Sequence, residues 1–144
     1  MALDTAQTTW PGQCVSGFAR ITDDRGRLLV LDTGDGWVLP GGAGLPGESA
    51  ADALAYHVRR ALRVHVTPGT QLVVEYAPSE PEKVTYLIDC GLLPAARART
   101  IRLPLTTGAA TPEYVAYDFT AEPSARLRPS HRRLLDTAAT VCPT

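Results

Sequence analysis

The sequence predicts an α/β fold, and three observations carry that prediction. Residues 14–22 and 83–93 alternate side chains at the two-residue period of a strand. Residues 50–62 place Ala50, Ala51, Leu54, Val58, Ala61 and Leu62 on one apolar arc at 100° per residue, which is a helix with one face on a core. Leu134, Leu135, Ala138 and Val141 then repeat at helical spacing after Pro129-Ser130, giving a second helix that closes the chain.

Composition narrows the class. A chain of 144 residues reads as one domain, residues 1–144, and 44% hydrophobic content supplies a core. A net charge of −1 gives no basic surface for nucleic acid. Cys14, Cys90 and Cys142 are odd in number and far apart, so they outline neither a disulfide framework nor a zinc pattern. The N-terminus carries Asp4 and no apolar run, and no stretch approaches the length of a membrane span. A reduced, cytoplasmic protein is the expectation.

Taken in order, residues 1–12 read as a loose arm and residues 14–22 as the first strand, with Val15, Gly17, Ala19 and Ile21 on one face. Asp23-Asp24-Arg25-Gly26 has turn chemistry. Residues 27–32 return as a strand buried on both faces, and Thr33-Gly34-Asp35-Gly36 turns into a short strand at 37–39. Beyond the helix, residues 71–76 form a strand, 77–82 a proline-broken loop and 83–93 the longest strand, with Val84, Tyr86, Ile88 and Cys90 on one face. Residues 94–100 read as loop, 101–105 as a short strand, 106–111 as loop and 113–119 as the last strand. His131-Arg132-Arg133 is expected on the exposed side of the closing helix.

The stretch from Trp37 to Val64 organises the rest. Trp37-Val38-Leu39-Pro40-Gly41-Gly42 leads into a loop with Gly44 and Gly47, then Glu48, then the helix, with Ser49 as N-cap and Asp52 three residues on. This resembles the Nudix family, whose box reads G-x5-E-x7-R-E-U-x-E-E-x-G-U, with U a bulky aliphatic. Gly42 and Glu48 match its first half. In the second half Tyr56 stands where the family has Arg, His57, Arg60 and Ala61 stand at the three helix glutamates, and Arg63 stands at Gly. Residues 113–119 are similar to the family's E-x-x-W-V-type segment. The resemblance implies a Nudix α/β/α sandwich with a mixed β-sheet over residues 14–141.

It also implies a chemistry that this degenerate Nudix box has lost. Family members hold Mg²⁺ or Mn²⁺ on those glutamates, and hard dications require carboxylate oxygens. Here Glu48 is the one acidic ligand the box offers. Arg60 opposes a cation by roughly 4 kcal/mol per unit charge at 4 Å and an effective dielectric of 20. No metal and no other cofactor is expected.

Site candidates follow. His57 replaces a metal ligand and suits proton transfer near neutral pH, so it is the candidate catalytic acid or base, with Glu113 and Asp89 as carboxylates beside it. Its ordinary role is a half-buried helix residue against the sheet. Arg60 converts a cation site into an anion site and, with Tyr56, Tyr86, Cys90 and Glu48, makes the candidate substrate-binding set. Cys90 is otherwise a small buried residue and Glu48 a brace for its loop.

The first functional expectation is a metal-independent, non-hydrolytic enzyme on a small metabolite, performing isomerisation, cyclisation, elimination or hydration. The alternatives are a non-catalytic nucleotide- or metabolite-binding module, and a Nudix diphosphate hydrolase drawing ligands from Glu48, Asp89 or Glu113. The expected partner is a small-molecule substrate of anionic character, with no nucleic acid and no membrane. A homodimer is compatible with the sequence.

Overall fold

The computed structural model describes residues 13–78, 82–104 and 113–141. The elements run β1 (Gln13–Thr22), β2 (Leu28–Asp32), β3 (Trp37–Val38), β4 (Gly41–Ala43), α1 (Ala50–Leu62), β5 (Gln71–Ala77), β6 (Glu82–Leu92), α2 (Ala95–Ala98), β7 (Ala116–Thr120) and α3 (Pro129–Val141). A single 3-10 turn at Pro123–Ala125 precedes α3.

Among the described residues, seven strands form one mixed sheet. β1 runs parallel to β6 along its whole length, from Gln13↔Glu82 to Thr22↔Leu92. Its other edge is shared, β4 pairing antiparallel at Ser16–Phe18 and β2 joining only at Thr22↔Leu28. β2 in turn carries β7 and β3, both antiparallel, while β5 pairs antiparallel with β6 at the far edge.

The period-2 patterning divides the core between the two faces. Val15, Ala19 and Ile21 of β1 meet Leu54, Val58 and Leu62 of α1, with Val84, Tyr86 and Ile88 of β6. On the other face Leu28, Val30, Val73 and Leu87 meet Leu134 and Ala138 of α3. Leu28 to Leu31 are all buried, as a strand covered on both faces requires. Gly17 allows α1 to sit down on β1, because a Cβ there would lie 2.2 Å from the Ala50 carbonyl oxygen.

Several expectations shift. Gly41–Ala43, read as loop, is β4, since glycines let its backbone lie directly against β1. Residues 101–104 form no strand, and 95–98 form the short α2. The last strand begins at Ala116, which leaves Glu113 outside it. Leu135 is half-buried, and it is Leu134 that reaches the core at 2% exposure. His131 is likewise not on the exposed side. It packs edge-to-face on Phe18 at 4.5 Å, and its Nδ1 accepts the Leu39 N–H at 2.9 Å. The expected arm at 1–12 and the loop at 106–111 lie outside the described residues.

Candidate functional site

α1 begins where the sequence says it should, with Ser49 Oγ accepting the Asp52 N–H at 3.1 Å. It ends on Arg63, whose backbone is left-handed at φ 60°, ψ 29° and whose N–H donates to Arg59 O at 2.9 Å. A residue with a Cβ is disfavoured there relative to glycine by about 1 kcal/mol. Leu62 O accepts from Arg102 N at 3.0 Å, so these carbonyls near the helix end are served by backbone donors.

Tyr56, Arg59, Arg60 and Arg63 of this helix line a cavity of about 590 Å³ with Pro104, Glu113 and Tyr114. Arg60 Nη2 donates to Glu113 Oε2 at 2.6 Å, a pair about half exposed to solvent. Tyr114 is more buried. Burial, then the charge of Glu113 and a hydrogen bond to it, push its phenol up to about 12, with Arg60 pulling the other way. Three guanidinium groups thus face one carboxylate, a surplus of two positive charges on the described lining. Neither Arg59 nor Arg63 makes a side-chain ion pair with another described residue.

Of the sequence candidates, Arg60, Tyr56 and Glu113 come together here. His57 is absent from the lining. Its Nε2 lies 2.7 Å from Ala43 O, and since a carbonyl only accepts, that nitrogen carries the proton. The ring lies flat enough on β4 that a Cβ at Gly42 would sit 2.8 Å from it. Asp89 is on the opposite face, 3.9 Å from Arg20 and accepting the Gly91 N–H at 3.0 Å. Cys90 is half-buried, and its thiol is pushed up to about 12 by burial and then by Asp89, which keeps it out of the thiolate form a nucleophile needs. Tyr86 is 2% exposed within the core. Glu48 Oε1 accepts the Leu45 N–H at 2.9 Å and braces the loop before α1. The cavity is therefore shared with the 101–104 and 113–114 segments, and the long strand β6 contributes nothing to it.

Arg59, Arg63 and Tyr114 were not among the candidates. Tyr56, Arg59, Arg60 and Arg63 share one solvent-facing arc of α1, so the three guanidinium groups reach the same mouth. The available signal was the spacing of Arg59, Arg60 and Arg63, which is one helical turn of cations.

The mixed sheet between α1 and α3 is found in solved structures. The MutT protein from Methanosarcina mazei Go1 superposes with a TM-score of 0.72 at 18% identity, covering 99% of this chain and 100% of that one. The MutT NUDIX hydrolase from Burkholderia pseudomallei gives 0.65 at 18%, covering 87% and 97%. An ADP-ribose pyrophosphatase from Streptococcus suis 89-1591 gives 0.61 at 16%, covering 91% and 92%. This chain has the Nudix fold. No family model matches it, and no curated protein sequence is similar to it.

Nudix hydrolases resembling the box described above hold a dication on the helix that α1 represents. The described residues do not fit that ion. The Glu113 carboxylate is engaged by Arg60, and Glu48 takes a backbone N–H of its own loop. Among the described residues, no three of His, Cys, Asp and Glu converge as ligands. Among the described residues, no helix is long and apolar enough to cross a membrane.

Proposed function

We propose that this chain is a Nudix-fold module that binds a small anionic metabolite in the cleft beside α1 and does not use metal-dependent hydrolysis. One observation carries the reading, the cavity lined by Arg59, Arg60 and Arg63, where the single carboxylate among the described residues is already paired. Guanidinium groups match carboxylate and phosphate oxygens in geometry and charge. Tyr56 and Tyr114 add aromatic surface for the rest of the ligand. Proton-transfer catalysis at His57 gains no support, because the ring is tied to Ala43 and stands outside the lining. Calorimetry at low salt, with a panel of phosphorylated and carboxylated metabolites, tests this. Saturable binding that weakens about tenfold in Arg60→Gln supports it. Failure of every anion to bind, or equal binding by the variant, overturns it.

The second reading is a Nudix hydrolase with rearranged ligands, and the fold neighbours favour it. Beside the pyrophosphatase above, they include a dihydroneopterin triphosphate pyrophosphohydrolase from E. coli, with a TM-score of 0.57 at 19% identity. Its test is phosphate release from nucleoside diphosphate compounds in millimolar Mg²⁺ or Mn²⁺. Turnover above a metal-free control would put hydrolysis ahead of simple binding.

A further inference from the structure

We infer that Arg63 determines the charge specificity of this cleft, a cation kept on a disfavoured backbone so that the site selects a dianion over a monoanion. The inference rests on the anion-binding reading and deepens it. Among the described residues, every other backbone with a positive φ in the left-handed region is glycine, at Gly26, Gly34, Gly36, Gly41, Gly47 and Gly91. Arg63 alone departs from that usage, at φ 60°.

Its backbone does the structural work without its side chain. The N–H closes on Arg59 O, and Leu62 O is taken by the Arg102 N–H. A glycine would make the same bonds with less strain. The guanidinium is exposed, lines the cavity and has no ion-pair partner among the described residues, whereas Arg60 is already held by Glu113. Arg59 and Arg63 therefore supply the surplus of two charges, and without Arg63 the surplus is one. The C-terminal end of α1 is the negative end of the helix dipole, so an anion held there requires more than a single cation. The chemistry that answers both points is a ligand with two negative charges at the helix end, carried either on phosphate or on two carboxylates.

The test compares wild type, Arg63→Gly and Arg63→Lys by thermal melting and by calorimetry at mildly alkaline pH with inorganic phosphate, malonate and acetate. Arg63→Gly is expected to melt about 3 °C higher. It is also expected to bind phosphate and malonate roughly tenfold more weakly, with acetate changed less than about twofold. Arg63→Lys keeps the wild-type melting point and stays within about threefold in affinity. A gain in stability with a loss of dianion binding is what a merely structural residue would not give. Tighter binding of phosphate than malonate assigns the charge to phosphate, and the reverse to a dicarboxylate. If wild type binds dianions and Arg63→Gly binds them equally, or Arg63→Gly melts no higher, this inference falls while the cleft stands. If wild type binds none of the three probes, both fall together.

Discussion

The two faces of the sheet treat charge differently. On the α3 side, Arg133 grips both oxygens of Glu75 at 2.8 and 3.0 Å. Arg126 meets Asp118 at 2.6 Å while its guanidinium lies 4.0 Å over the Trp37 ring. On the α1 side only Arg60 of the three cavity arginines is matched by a carboxylate among the described residues. The whole chain carries a net charge of −1, so this excess of positive charge is local. Each face also spends a histidine on one end of the same segment, residues 39–43. From the α3 side His131 accepts from Leu39 N, and from the α1 side His57 donates to Ala43 O. Histidine serves as a clip on both faces. Among the described residues, Arg128 and Arg132 on the α3 side have no carboxylate but still donate to Thr33 Oγ1 and Ser124 O, whereas Arg59 and Arg63 on the α1 side have no side-chain partner.

The largest effect tests how α1 is seated. Gly17→Ala places a Cβ 2.2 Å from Ala50 O and 3.1 Å from Leu54 Cβ, and neither is the far end of a flexible side chain. A loss of about 3 kcal/mol is expected in urea unfolding, at the upper end for overpacking. A loss under about 1 kcal/mol would show that α1 and its arginines ride loosely on the sheet.

Next is the clip on the α3 face. Burial, and then the charge of Arg128, lower His131 to about 4 from an ordinary 6.5. As pH falls from 6.5 towards 4 the unfolded chain takes up a proton that the folded chain refuses, so stability is lost across that window. Above 6.5 the contribution is complete. The shift is worth about 3 kcal/mol. His131→Gln should flatten this part of the stability-against-pH curve. An unchanged slope would mean that His131 is readily protonated in place.

Much of this architecture was legible because burial writes a period into the sequence. The apolar arc of α1 gave its limits, 50–62, and buried Leu54, Val58 and Leu62. The doubly covered β2 announced itself as an unbroken apolar run. β4 was hidden because Gly41 and Gly42 serve strand pairing by having no side chain. At the site, the box register pointed to Tyr56, His57 and Arg60; Tyr56 and Arg60 line the cavity with Glu113, which the sequence had set beside His57, and His57 does not line it. Replacing a ligand in the motif says where a residue sits along the helix. It does not say that β4 will pass within hydrogen-bonding distance of the ring. Arg63 takes the left-handed backbone at the motif's glycine position, where its arginine left a different helix end equally open, and the convergence of Arg59, Arg63 and Tyr114 depends on segments distant in sequence.

The clip on the α1 face gives a smaller effect. His57→Ala removes one hydrogen bond to a backbone carbonyl and the contact with Gly42, for a loss of about 1 kcal/mol. Anion affinity is expected to stay within about twofold, because the ring is not part of the cavity lining. A loss of binding or of turnover without a loss of stability would move His57 from clip to site.

The smallest effect concerns a matched arginine, and it is the control for the unmatched ones. Arg133 ties α3 to the edge strand β5 through Glu75. Its hydrogen bonds, against the opposing effect of burial, hold that carboxyl below its usual range. The arginine side chain is 62% exposed, so the pair is screened and Arg133→Ala should cost less than about 1 kcal/mol. That cost should shrink in high salt. Because Arg133 and Glu75 cancel and lie across the sheet from the cavity, anion binding should not change with this variant, although the net charge falls by the same unit as in Arg59→Gln. Equal weakening of anion binding by the two variants would reduce the cleft to a general effect of net charge. Weakening by Arg59→Gln alone ties affinity to the place where the arginines outnumber their partners.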